Sequence, residues 1–165
     1  MVFSLSLQTI LPMIQRVYID TSVIGGMFDD EFQVFTKLFF DRVFRNEIRL
    51  ITSDLLEVEL VNAPDRVSEF YRSLPKEQCE FVRATTESNA LAEQYIAEKV
   101  VGLTSLADCQ HIAIATLNKA DVLVSRNFQH IVNLKRIRGY NSVNLKVGLH
   151  TLEIRSPKEL REYEN

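Results

Sequence analysis

Three acidic residues stand where a carboxylate is out of place. The apolar run "VYI" (17–19) reads as a strand, yet it ends on Asp20, followed by Thr21 and Ser22. In the helical segment 53–63, Leu55, Leu56, Val58, Leu60 and Ala63 define an apolar arc at about 100° per residue. Glu59 falls inside that arc and Glu57 on its far side. Asp108 opens "SLADCQHIAIATLNKA" (105–120), a segment apolar nearly all round, with Ser105 at capping-box distance. An acid on a buried stripe is costly unless a charge or a metal partners it. Clustered carboxylates repel one another unless a cation sits among them, and hard oxygen donors favour Mg²⁺ or Mn²⁺. Such an ion can activate a water and clamp a phosphodiester during hydrolysis. Each acid also has an ordinary reading: Asp20 as a turn or cap residue, Asp108 as a helix cap, Glu59 as the partner of an arginine.

The elements that must position these acids alternate along the chain. Strands are expected at 17–19, 48–52, 120–125 and 149–154, each running into polar residues. Helices are expected at 29–46, 53–63 (stopped by Pro64), 65–74, 87–100 and 105–120, with a last short helix opened by Ser156 and Pro157. Alternation of this kind implies a three-layer α/β/α sandwich around a mainly parallel sheet of four to five strands. Ligands of such sheets bind beyond the carboxyl ends of the strands. Asp20, Ser53-Asp54 and Ser125-Arg126-Asn127 follow three of those ends, so Asp20 and Asn127 share a rim if their strands are parallel and central. Gly25-Gly26 lacks the lysine and spacing of a P-loop and is read as letting the chain turn after the first strand.

The chain of 165 residues is 46% hydrophobic and 25% charged, which suits one globular domain with a real core. A net charge of −3 gives no global attraction to nucleic acid or to an anionic membrane, so any such role needs a local patch. No apolar run reaches the roughly 18–20 residues of a membrane span. Cys79 and Cys109 lack metal or redox spacing and read as free thiols in a reducing cytoplasm. The opening "MVFSLSLQTILPMIQ" has no basic residue before its apolar part and no small-residue cleavage site, which argues against a signal peptide. Residues 1–15 are read as an N-terminal extension and 16–165 as a single domain.

With Asp20, Glu59, Asp108 and Asn127 aligned in order, the sequence resembles the PIN-domain family of metal-dependent ribonucleases, which includes the VapC-like toxins of toxin–antitoxin pairs. "VYIDTSVIGG" resembles the family's first motif, "TSDLLEVEL" its second, "SLADCQHIAIA" its third and "VLVSRNFQHI" its fourth, so the likeness covers roughly residues 16–130. It implies metal binding by Asp20, Glu59 and Asp108. It also implies catalysis by these three with the fourth position, where Asn127 replaces the family's aspartate. An amide can orient a water but supplies no charge. Ser125 matches the family's hydroxyl position.

Around these lie Thr21, Arg126, His111 and His130 as supporting or substrate-binding candidates. Each histidine sits three residues after a site residue and reads first as a satisfied interior side chain. The segment 122–152 holds no Asp or Glu but carries Arg126, Lys135, Arg136, Arg138 and Lys146, a stretch that could receive a phosphate backbone. The expectation is a cytoplasmic Mg²⁺- or Mn²⁺-dependent endoribonuclease acting on RNA. The resemblance adds a small antitoxin partner and a homodimer. The alternative is a weakened PIN-like module that binds RNA or protein without cleavage. A phosphatase-like domain built on Asp20 is disfavoured because no second Asp lies two residues on.

Overall fold

A computed structural model describes residues 13–162, with side chains through residue 160. Residues 1–12 of the expected extension lie outside the described residues. Five strands form one all-parallel sheet: β1 Gln15–Ile19, β2 Ile48–Ser53, β3 Cys79–Val82, β4 Val122–Val124 and β5 Glu153–Arg155, in the order β3-β2-β1-β4-β5. The described helices are α1 Thr21–Gly25, α2 Gln33–Phe44, α3 Asp54–Leu60, α4 Asp65–Ser73, α5 Thr86–Ala97, α6 Leu106–Leu117, α7 Leu134–Lys146 and α8 Pro157–Glu162.

Alternation along each strand divides the core between two faces. Val17, Ile19, Leu50, Val122 and Val124 pack with Phe39, Phe40, Leu56, Leu60 and Val67 under α2, α3, α4 and α8. Tyr18, Ile51, Leu123 and Ile154 pack with Leu91, Tyr95, Ile112 and Tyr140 under α5, α6 and α7. The chain steps from β1 to β3 with its helices on the first face, then crosses to β4 and β5 with its helices on the second. That is how right-handed crossovers build a doubly wound sheet. The point of reversal lies between β1 and β4.

The short helix α1 went unread in the sequence, as did β3 and α7. β3 is an edge strand of four residues with the charged Glu80 at its middle, so no apolar alternation marks it. The helix α7 is masked by Gly139 and its asparagines. Asn133 caps it by accepting from Arg136 N, and Gly139 is required because a Cβ there would meet Val100 Cγ1 at 2.7 Å. Three helices end earlier than periodicity suggested. Asn46 (φ 63°), Lys99 (φ 59°) and Lys119 (φ 53°) take left-handed conformations that close α2, α5 and α6. In each case the following N–H reaches back five residues, as Val100 N does to Tyr95 O at 3.0 Å. α3 ends at Leu60, with Val61 as its C-cap, short of the expected end at 63. Val58, placed in its apolar arc by spacing, is 66% exposed.

Candidate active site

Asp20 follows β1, the central strand, and sits at the N-cap position of α1. Its side chain makes no capping hydrogen bond there, which removes the ordinary reading of this residue. Its oxygens instead accept from two hydroxyls: Ser22 Oγ to Oδ1 at 2.5 Å and Ser125 Oγ to Oδ2 at 2.6 Å. Ser125 follows β4, so this second bond closes the topological switch point itself. Asp20 is 5% exposed. Burial pushes its carboxyl pKa up. The charge of His111 and the bonds from Ser125 and Ser22 oppose that rise, and the charge of Asp108 adds to it.

Glu59 lies on α3, half-buried as the helical arc implied, and its partner is a histidine rather than an arginine: His111 Nε2 approaches Oε1 at 2.5 Å. An ionised carboxylate only accepts, so Nε2 carries the proton. His111, on α6, is 3% exposed, and its Nδ1 lies 2.7 Å from the Tyr18 hydroxyl. That hydroxyl also lies 2.9 Å from Ser53 Oγ, which in turn accepts from Leu56 N as the N-cap of α3.

Asp108 occupies the first turn of α6, and the expected capping box is not formed: Ser105 is buried but makes no cap hydrogen bond. Asp108 Oδ2 meets His130 Nδ1 at 3.1 Å instead. Asn127 follows β4 with its side-chain carbonyl accepting from His130 N at 3.0 Å, so the amide holds the turn that brings His130 to Asp108. Each of the two cleft carboxylates therefore has its own imidazole, one buried and one partly exposed.

The supporting candidates divide. Ser125 belongs to the cluster, bonded to Asp20 and accepting from Asn127 N at 2.9 Å. Thr21 buries its hydroxyl without a hydrogen-bond partner. Arg126 turns its guanidinium toward α2, where it pairs with Asp29 at 3.1 Å and lies over the Phe32 ring at 4.7 Å. There it explains Gly26, whose backbone is helical (φ −59°) rather than turning: a Cβ would meet Thr36 Oγ1 at 2.8 Å and Arg126 Cδ at 2.9 Å. In the basic stretch, Arg136 donates to Val100 O and Lys146 pairs with Glu98, which leaves Lys135 and Arg138 exposed on α7. Ser22, Tyr18 and Ser53 went unread as site residues. Tyr18 had a signal, since it lies two residues before Asp20 on the same face of β1.

Among the described residues no three His, Cys, Asp or Glu side chains are gathered closely enough to form a metal cage. The donor chemistry still suits a hard divalent ion. Asp20 is buried, has no Lys or Arg partner among the described residues and has its pKa raised by that burial, which leaves its negative charge under-compensated. Mg²⁺ keeps several waters and is held through one or two carboxylates, so it does not need a closed protein cage.

The fold has solved counterparts. The chain superposes on VapBC from Salmonella typhimurium bound to DNA with a TM-score of 0.52 at 15% identity, covering 88% of this chain and 99% of that one. Against VapBC2 from Rickettsia felis, bound to a DNA fragment from its promoter, the TM-score is 0.55 at 11% identity, with 86% and 98% covered. The fold is PIN-like. At these identities the likeness is one of fold, and no protein-family model and no curated protein matches the sequence. In this fold the cluster occupies the switch-point rim of the sheet. No helix among the described residues is long and apolar enough to cross a membrane.

Proposed function

We propose that this protein is a Mg²⁺- or Mn²⁺-dependent endoribonuclease, the toxin of a toxin–antitoxin pair, working as a homodimer in the cytoplasm. One observation carries the reading: a buried carboxylate at the switch point of a PIN-like sheet, bonded to hydroxyls from both flanking segments and paired with no lysine or arginine among the described residues. A structural aspartate at the start of a helix would bond the helix N–H groups, and Asp20 does not.

Asp20, Glu59 and Asp108 would hold the ion, directly or through water. When bound, such an ion polarises a phosphodiester and makes water a better nucleophile. The protein's own contribution is positional. Ser22 and Ser125 fix the Asp20 carboxylate by both oxygens, His111 fixes Glu59 through Oε1, and His130 stands beside Asp108. Asn127 acts through the turn that places His130. Lys135 and Arg138, exposed on α7, would offer positive charge to the RNA backbone.

A second reading, a PIN-like module that binds RNA or protein without cutting, is favoured by one specific feature. The amide at position 127 supplies no charge, and its carbonyl is already engaged by the turn. Incubation of the full chain with mixed RNA, in Mg²⁺, Mn²⁺ or EDTA, beside Asp20→Asn, separates the two. Cleavage that needs the ion and Asp20 supports the nuclease. RNA retention without cleavage in any condition supports the module.

A further inference from the structure

The hydroxyl of Tyr18 is held differently from those of the other two large buried tyrosines. Tyr140 donates to a backbone carbonyl, that of His130, at 2.7 Å, and Tyr95 bonds Asn144 inside the core at 2.5 Å. Tyr18 stands in a line of side chains drawn from four elements: Ser53 at the end of β2, Tyr18 on β1, His111 on α6 and Glu59 on α3. The line starts at the N-cap of α3 and ends on a carboxylate of the same helix. Nε2 of His111 faces Glu59 and Nδ1 faces the Tyr18 hydroxyl, so a ring that donates to the carboxylate at one nitrogen can accept the Tyr18 O–H at the other. Ser53 then donates to the Tyr18 oxygen while accepting from Leu56 N. From Ser53 Oγ to Oε1 of Glu59, one arrangement of protons can satisfy each contact in the line. Buried networks of this kind hold their members in one geometry.

The line engages Oε1 of Glu59, and among the described residues Oε2 accepts no hydrogen bond. We propose that Tyr18, acting through His111, is a positioning residue that fixes the Glu59 carboxylate so that Oε2 is the oxygen presented to the cleft. The inference rests on the nuclease reading, because it concerns what Glu59 is positioned for. Carboxylates and histidines that orient a ligand from behind typically cost roughly 10–100-fold in metal affinity when removed.

The test uses Mn²⁺ alone as probe, with binding to the full chain followed by electron paramagnetic resonance, beside RNA cleavage and thermal melting. His111→Leu is expected to weaken Mn²⁺ binding roughly 10-fold or more, and Tyr18→Phe to weaken it by a smaller factor. His111→Gln, whose amide can still donate to Glu59, is expected to recover most of the affinity. Tyr95→Phe removes an equally buried hydroxyl outside the line, so it is expected to lower the melting temperature and leave Mn²⁺ affinity unchanged. A second readout needs no metal: the Nε2–H proton resonance of His111 shifts in Tyr18→Phe and is lost or displaced in Glu59→Gln. If His111→Leu does not fold, Tyr18→Phe and His111→Gln carry the same comparison. A wild type that binds Mn²⁺ and cuts RNA, with Tyr18→Phe and His111→Leu matching its affinity, overturns the relay alone. A wild type that neither binds Mn²⁺ nor cuts RNA overturns the nuclease reading, and the relay's role with it.

Discussion

At the amino ends of the strands, Arg16 reaches across β2 and grips Glu80 with two hydrogen bonds, at 3.1 and 2.7 Å. Its third nitrogen donates to the carbonyls of Asn118 and Lys119, which close α6. Arg49 adds a longer contact to Glu80, and Asp121 accepts from Arg16 N. These charges are about one-third exposed and paired by opposite sign. At the carboxyl ends of the same strands, Asp20 is buried among hydroxyls, with no lysine or arginine paired to it among the described residues. The two ends shift their acids in opposite directions. The hydrogen bond from Arg16 holds the Glu80 carboxyl below the usual range, whereas burial raises that of Asp20. Charge at one end is arranged for stability. At the other it is held at a cost, which is the usual mark of a site that does something.

Breaking each end separates these roles. Asp20→Asn is expected to lower RNA cleavage by at least about 100-fold, the scale of losing a transition-state charge group. The neutral amide is easier to bury, so the melting temperature should stay level or rise. Loss of stability together with activity would make Asp20 a structural residue. Arg16→Met is the mirror experiment. It removes an ion pair about one-third exposed and two carbonyl contacts, at a cost of about 1–2 kcal/mol. Melting should fall by several degrees while cleavage per folded molecule is unchanged.

The comparison also explains what could be read in advance. Asp20 ends a central strand and Glu59 lies on a helical arc, and both facts follow from local periodicity. Their partners do not: His111 is 52 residues from Glu59, and Ser125 is 105 from Asp20. The same holds for glycine. Gly25-Gly26 was read as a turn, yet Gly26 is helical and is needed because Thr36 and Arg126 press against it. The short edge strand β3 is invisible as an apolar pattern, because Glu80 interrupts it to serve Arg16. The helices with apolar periodicity were legible, whereas α1 and α7 were not. Nor were helix ends, where lysines adopt the backbone usually left to glycine.

The amino end can be probed more finely by pH. The Glu80 carboxyl is lowered in the fold, so its contribution is present above the unfolded carboxylate pKa of about 4.3 and is lost as pH falls through the folded value. Glu80→Gln should therefore be less stable than wild type at pH 7, by no more than about 1 kcal/mol given its exposure. The gap should narrow in acid, as pH falls through the folded value and the wild-type carboxyl is protonated too. Denaturant unfolding at pH 7 and in acid measures it. A gap that persists in acid would assign the effect to packing of the side chain rather than to its charge.

The smallest expected effect lies at the same end and has the opposite sign. Lys119 holds φ 53° to close α6, its N–H donating to Thr116 O at 3.1 Å and that of Ala120 to Ala115 O at 3.0 Å. A residue with a Cβ is strained there by about 1–2 kcal/mol. Glycine escapes that strain but loses about 0.5–1 kcal/mol more in backbone entropy on folding. Lys119→Gly should thus gain up to about 1 kcal/mol, as the fold already does with Gly148 (φ 81°) at the end of α7. The Arg16 contact survives because it is made to the backbone carbonyl of Lys119. Thermal melting reads the gain, and cleavage should not change. If stability rises while activity falls, the two ends of the sheet are coupled through α6, which carries Lys119's turn at one end and Asp108 at the other.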